Sequence, residues 1–214
     1  MINQILDNIR SKYVLNEIEV KEFSKFKAKG MIFSIQAYHA KGLGHVSVMK
    51  ANGFFGLMKM DTVIIVPQEK DLPLYSYDRI YAMGNDTLIV ELYDTMVNRS
   101  EFLTLDNVKN KYQFIPERDP GHHWYDSIKL TQSISKKAKS KLTSKLDSLA
   151  LEHFEAYLDI ETTELIQIEK KKELSSQYVN GLLEHGGPST DVFIKMFGVE
   201  KTRHLYNAIL FGIN

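Results

Sequence analysis

The chain has 214 residues, 43% of them hydrophobic and 25% charged, and its 27 Lys and Arg are matched by 27 Asp and Glu. That length predicts a single domain, 1–214, with a sizeable core, and the zero net charge argues against bulk electrostatic capture of nucleic acid or of an anionic membrane. With no Cys, disulfides, thiolate metal sites, a cysteine nucleophile and thiolate-ligated iron–sulfur clusters are excluded, so redox chemistry would draw electrons from outside or from a bound organic cofactor.

Ile2, Ile5, Leu6, Ile9 and Tyr13 recur near helical spacing and predict a short amphipathic helix. No charged leader precedes an apolar core here, and no apolar run reaches membrane-spanning length, so a cytoplasmic protein is expected. Residues 17–29 are mixed, with Phe23 and Phe26 as anchors. Residues 31–39 and 44–50 read as strands about Lys41-Gly42-Leu43-Gly44, and Asn52-Gly53 marks a hairpin into a further strand over 54–60. Three runs rich in β-branched and aromatic residues follow, 61–66, 74–81 and 87–94, bounded by the 67–73 loop and a Gly84-Asn85-Asp86 turn. Connections this short leave no room for helical crossovers, which predicts an antiparallel meander of about six strands.

Residues 95–125 show little periodicity and read as a long irregular loop, with one more strand around Ile128, Leu130 and Ile134. Two amphipathic helices follow, over 138–158 (Leu142, Leu146, Leu149, Ala150, Phe154) and 162–183 (Leu165, Ile168, Leu174, Tyr178, Leu182). Gly186-Gly187-Pro188 ends the second, Ser189 or Thr190 caps the next, and 192–198 and 201–211 are short and apolar. Strands first and helices later predict an α+β fold, a three-layer α/β/α sandwich with a central antiparallel sheet.

Two carboxylates, Asp61 and Asp78, sit inside the apolar β block. Folding about the 67–73 loop puts them in cross-strand register, and a one-residue slip would send them to opposite faces. A carboxylate pressed against apolar surface, with a second one opposite, gains proton affinity and can donate a proton to a ligand. At an exposed strand mouth Asp78 would instead cap the turn or pair with Arg79 or a lysine. His122-His123-Trp124-Tyr125-Asp126 lacks a third ligand at metal-site spacing, so it reads as a pocket rim or a surface loop and no metal is expected. His45 alternates with Val46 and Val48 and faces away from them, and His185 lies in a helix-ending turn. The basic runs at 135–141 and 169–173 fall inside helical patterns and read as solvated faces. Dinucleotide, Walker, nucleophile-elbow and zincin motifs are all missing from the sequence.

The segment Asp71-Leu-Pro-Leu-Tyr-Ser-Tyr-Asp78-Arg-Ile, followed by Leu88-Ile-Val-Glu-Leu-Tyr-Asp94, resembles the central strands of the ferredoxin-dependent bilin reductases. Lys195-Met-Phe197-Gly198 and the run from Thr202 to Gly212 are similar to that family's closing Lys-x-Phe-Gly motif and final helix. The resemblance implies reduction of a linear tetrapyrrole such as biliverdin by single electrons from an external ferredoxin or flavodoxin, with no cofactor bound. The bilin would lie between sheet and C-terminal helices, its propionates reaching basic groups at the rim. Asp78 falls on the position of the family's central proton-donating acid. Asp61, its coupled neighbour, stands where relatives carry His or Asn. His45, His122, His123, Trp124 and His185 are the expected substrate-binding groups. Ser76 replaces a motif glycine. Gly187 falls where many relatives carry a second acid, for which Glu184 or His185 would substitute. The other readings are a non-catalytic tetrapyrrole carrier or sensor on the same fold, and a cofactor-free carboxylate enzyme or apolar-ligand binder unrelated to tetrapyrroles.

Overall fold

The computed structural model describes residues 1–98, 100–187 and 189–213. Eight strands form one sheet: β1 (Val14–Ile18), β2 (Lys25–Ala28), β3 (Met31–Lys41), β4 (Gly44–Gly53), β5 (Met58–Pro67), β6 (Leu74–Ala82), β7 (Asn85–Tyr93) and β8 (Ile134–Lys139). Every pairing is antiparallel, in the order β1-β3-β4-β5-β6-β7-β8, with β2 taking the part of the β3 edge that β1 leaves free. From β2 to β7 each strand pairs with the next in sequence, as short connections require.

Because side chains alternate along a strand, each face of the sheet has its own core. One face carries Val63, Ile65, Tyr75, Tyr77, Leu88, Val90 and Leu92, which pack with α1 (Ile2–Lys12), α2 (Leu103–Lys111) and α3 (Thr143–Leu158). Phe154 and Tyr157 of α3 close on Tyr75 with ring centroids 5.4 and 4.6 Å away, and none of these rings keeps any exposure. Each such side chain contributes about 1.5–3 kcal/mol by burial. The other face meets α4 (Ile168–His185), α5 (Thr190–Phe197) and α6 (Val199–His204), which runs on as a π-helical turn, Leu205–Leu210. The α/β/α sandwich is the expected one.

Several elements differ from expectation. The expected strands at 54–60 and 61–66 are a single β5, because Gly53 pairs with Met58 and the reversal is spent on Phe54-Phe55-Gly56. The 95–125 segment contains α2, of whose residues only Leu105 is buried, so it leaves almost no apolar period to read. β1 and β2 are edge strands with mostly exposed side chains, and their alternation is correspondingly faint. The seventh expected strand lies at Ile134–Lys139 instead of beginning near Ile128, so α3 starts at Thr143, while α4 starts at Ile168. The basic run at 135–141 therefore forms a strand and its turn. Within it Lys136 is buried, its Nζ donating to Ile115 O at 2.9 Å and pairing with Glu117. Of the turn expected to end α4, Pro188 lies outside the described residues.

A buried cation anchors α4 above the sheet. Lys171 donates to Leu72 O and lies 3.8 Å from Asp71, which in turn accepts from the Val97 and Asn98 N–H groups at 2.8 Å. Burial lowers the Lys171 pKa to about 8, against the opposing pull of Asp71 and Asp94.

Candidate functional site

Between the second face and its helices lies a cavity of about 920 Å³, at the upper end of the roughly 300–1,000 Å³ usual for small-molecule sites. Met31 and Phe33 of β3, Met49 of β4, Met58, Met60, Thr62 and Ile64 of β5, and Ile80 and Ile89 of β6 and β7 make its floor. Tyr178, Leu182, Phe193, Tyr206 and Phe211 make the roof. Four of the chain's eight methionines face this space, giving it a polarisable, adaptable lining.

Asp78 rises from the middle of that floor. Its partial exposure is to the cavity, and the carboxyl itself is enclosed by protein. Burial raises its pKa to about 6; the Thr62 hydroxyl, which donates to Oδ1 at 2.5 Å, works against the shift, and the charge of Glu91 works with it. The result is an acid whose proton exchanges near pH 6, much closer to neutral than an ordinary carboxyl, on a floor made mainly of apolar side chains.

The acid coupled to Asp78 differs from the one expected. Thr62 pairs with Asp78 and Asp61 with Arg79, so the register is one residue from the assumed one. Asp61 consequently points to the opposite face, toward Tyr77, and takes no part in the cavity. The neighbour is Glu91 on β7, whose Oε2 accepts from Tyr93 OH at 2.6 Å and whose Oε1 lies 3.7 Å from Lys129 Nζ. Alternation could have found it: Leu88, Val90 and Leu92 share one face, which leaves Ile89, Glu91 and Tyr93 on the other.

His45 also departs from its expected role. It lies on the cavity side of the sheet but under the π-helical turn, where its Nε2–H donates to Ile209 O at 2.8 Å. A Cβ at position 212 would fall on its ring, so Gly212 is the residue that lets the C-terminal turn close over it. Burial lowers its pKa to about 4. With Ser47 donating to Leu210 O and Gln68 to Gly212 O, it fastens the roof instead of touching the cavity.

The remaining expected groups do reach the cavity wall. His122, His123 and Trp124 come from the segment before β8, and His185 from the end of α4. His123 stacks on Tyr125 with centroids 4.9 Å apart, and Asp126 accepts from the His123 N–H at 2.9 Å, shaping the turn. The Trp124 indole lies against Tyr178 and His185, donates to Gly186 O at 3.0 Å, and occupies the space a side chain at 181 would need. A helix-interior glycine costs up to about 1 kcal/mol; at Gly181 that cost seats the indole. Lys29 and Arg118 add basic side chains to the wall. Gly187 also lines the space, and a Cβ there would meet Leu182 at 2.8 Å and the Thr190 hydroxyl at 3.1 Å. Among the described residues no three His, Asp or Glu side chains are grouped to hold a metal ion.

No protein-family model and no curated protein sequence matches the chain. Among solved structures, it is similar to phytochromobilin synthase from tomato, determined in complex with biliverdin, with a TM-score of 0.79 at 15% sequence identity. The likeness covers 99% of this chain and 82% of that one, so it extends over the whole sandwich, β1 through the C-terminal turn. At that identity the likeness is one of fold, and the chain accordingly has the bilin reductase fold that its two sequence motifs implied.

Proposed function

We propose that the cavity binds a linear tetrapyrrole of the biliverdin type and that the chain reduces it with single electrons from an external ferredoxin or flavodoxin. The observation that carries this reading is an enclosed acid, Asp78, with a pKa of about 6 and Glu91 as its neighbour, on the floor of a largely apolar cavity of about 920 Å³. Reduction of one double bond adds two electrons and two protons to the bilin. Each added electron makes the conjugated system more basic, so a donor matched near neutral pH is what the reaction needs. Asp78 supplies a proton to the pyrrole system after each electron, taking a fresh proton from solvent in between, and Thr62 holds the carboxylate left behind each time. Lys29, Arg118 and the rim histidines are the groups available to the propionates.

Anaerobic mixing of the protein with biliverdin and reduced ferredoxin tests the proposal. The bilin absorption should shift, and Asp78→Asn should slow that shift by about 10²-fold or more with bilin affinity changed far less. An unreduced bilin under these conditions removes the reaction from the proposal. Gly187 favours a second reading, a non-catalytic carrier, since it supplies no side chain where the family resemblance called for a second acid. That reading is met by tight bilin binding with no turnover under the same reductant.

A further inference from the structure

We propose that the end of the sheet bearing the β2–β3, β4–β5 and β6–β7 turns docks on an anionic lipid bilayer. Antiparallel order collects these turns and the β8–α3 junction at one place: Ala28 faces Met31, Gly53 faces Met58, Ala82 faces Asn85, and Asn85 in turn faces Lys139. Six large apolar side chains stand exposed there, Ile32, Phe54, Phe55, Leu57, Tyr81 and Met83, with Phe55 wholly in solvent and Met83 89% exposed. None belongs to either core. Phe54, Phe55 and Met83 also hold φ of 52°, 57° and 51°, a region where Asn or Gly would make the same turn with less strain. Neither solubility nor turn geometry accounts for these residues.

Charge identifies the surface they fit. Lys27, Lys29, Lys59, Lys139 and Lys141 are exposed around the same turns and, among the described residues, form no ion pair. The one acid within two residues of these turns, Asp86, is buried against Arg79 and Thr143. A chain of zero net charge thus has one end that is both cationic and apolar. The apolar tips sit on alternate hairpins, about 10 Å apart by strand spacing, as separate prongs and not as a flat patch. Prongs of this kind enter the boundary between headgroups and acyl chains, while the lysines meet lipid phosphates. Ala28, Lys29 and Met58 belong to the cavity wall, so the large cavity reaches the same end. Docking does not depend on what that cavity holds.

Flotation of the purified chain with vesicles tests this, using phosphatidylcholine alone and phosphatidylcholine mixed with phosphatidylserine. Recovery should require phosphatidylserine and decline as salt is raised. Phe55→Ser with Met83→Ser should lower the partition coefficient about tenfold or more. Lys59→Glu with Lys141→Glu should lower it by a similar, about tenfold, factor and remove most of the salt dependence. All four positions are exposed and outside the cavity, so melting temperature and biliverdin affinity should stay at the parent values and serve as controls for folding and for the separate bilin reading. The proposal is overturned by absent recovery with phosphatidylserine vesicles or by undiminished recovery of both variants. It is equally overturned by a dimer in sedimentation that Phe55→Ser dissociates without any vesicle binding, which would assign the prongs to a second copy of the chain.

Discussion

On one face of the sheet Tyr75, Tyr77, Leu88 and Val90 interlock with α1 and α3 and keep no exposure, whereas on the other Met60, Ser76, Asp78 and Ile89 look into an open volume of about 920 Å³. β6 and β7 supply residues to both sets, one residue out of phase. The filled face stabilises the molecule and fixes the strands in register. The open face can therefore hold a void and a poorly solvated acid, both of which cost stability, without the sheet losing its shape.

The largest effect should come from truncating one side chain in the layer on each side of the sheet. Phe154→Ala, in the filled core, is expected to cost about 3–5 kcal/mol, while Met60→Ala, on the partly open floor, should cost only about 1 kcal/mol. Equilibrium denaturant unfolding measures both, and equal losses would show that the open face is packed as tightly as the other.

Acidification gives a smaller contrast, since each face holds one buried histidine. Burial lowers the pKa of both His45 and His153 to about 4, from 6.5 in the unfolded chain. Their contribution is fully present above pH 6.5 and is lost as pH falls toward 4, about 3 kcal/mol each. Asp78 acts in the other direction: its pKa is raised to about 6, so the native state pays a penalty above that pH that disappears toward pH 4. Asp78→Asn should thus stabilise the unliganded protein at pH 7 by up to about 3 kcal/mol and steepen its loss of stability between pH 6 and 4. A variant no more stable than the parent at pH 7, in denaturant titrations across that range, would mean the carboxyl is well solvated.

The smallest effect should appear at the cavity wall. Gly181→Ala relieves the helix glycine by up to about 1 kcal/mol but displaces the Trp124 indole, so net stability should change little. Emission from the chain's single tryptophan should nevertheless shift to the red as the ring leaves Tyr178 and His185. An unchanged spectrum would place the indole elsewhere in solution.

Strong local patterns were legible from the residues: α1 from the spacing of Ile2, Ile5 and Ile9, and β3, β4, β6 and β7 from alternation between turn formers. The sequence marks Asp78, His122, His123, Trp124 and His185 as candidates, and all five line the cavity. Asp61 was misplaced because nothing local distinguishes a register with Asp61 opposite Asp78 from one with Thr62 there, while the change reverses the face of every side chain. β1, β2 and α2 were missed because burial of so few of their residues leaves little periodicity.

What the sequence determined by itself was the succession of strands and then helices, the antiparallel layering and the presence of an acid out of keeping with its apolar strand, because these follow from neighbours along the chain. Tertiary structure decided that the β6–β7 register sets Glu91 beside Asp78, that His45 fastens the roof, and that a chain without net charge gathers lysines and bare aromatic rings at one end. Those outcomes depend on which strands lie side by side and in what register, and such pairings are set by contacts between residues far apart in sequence.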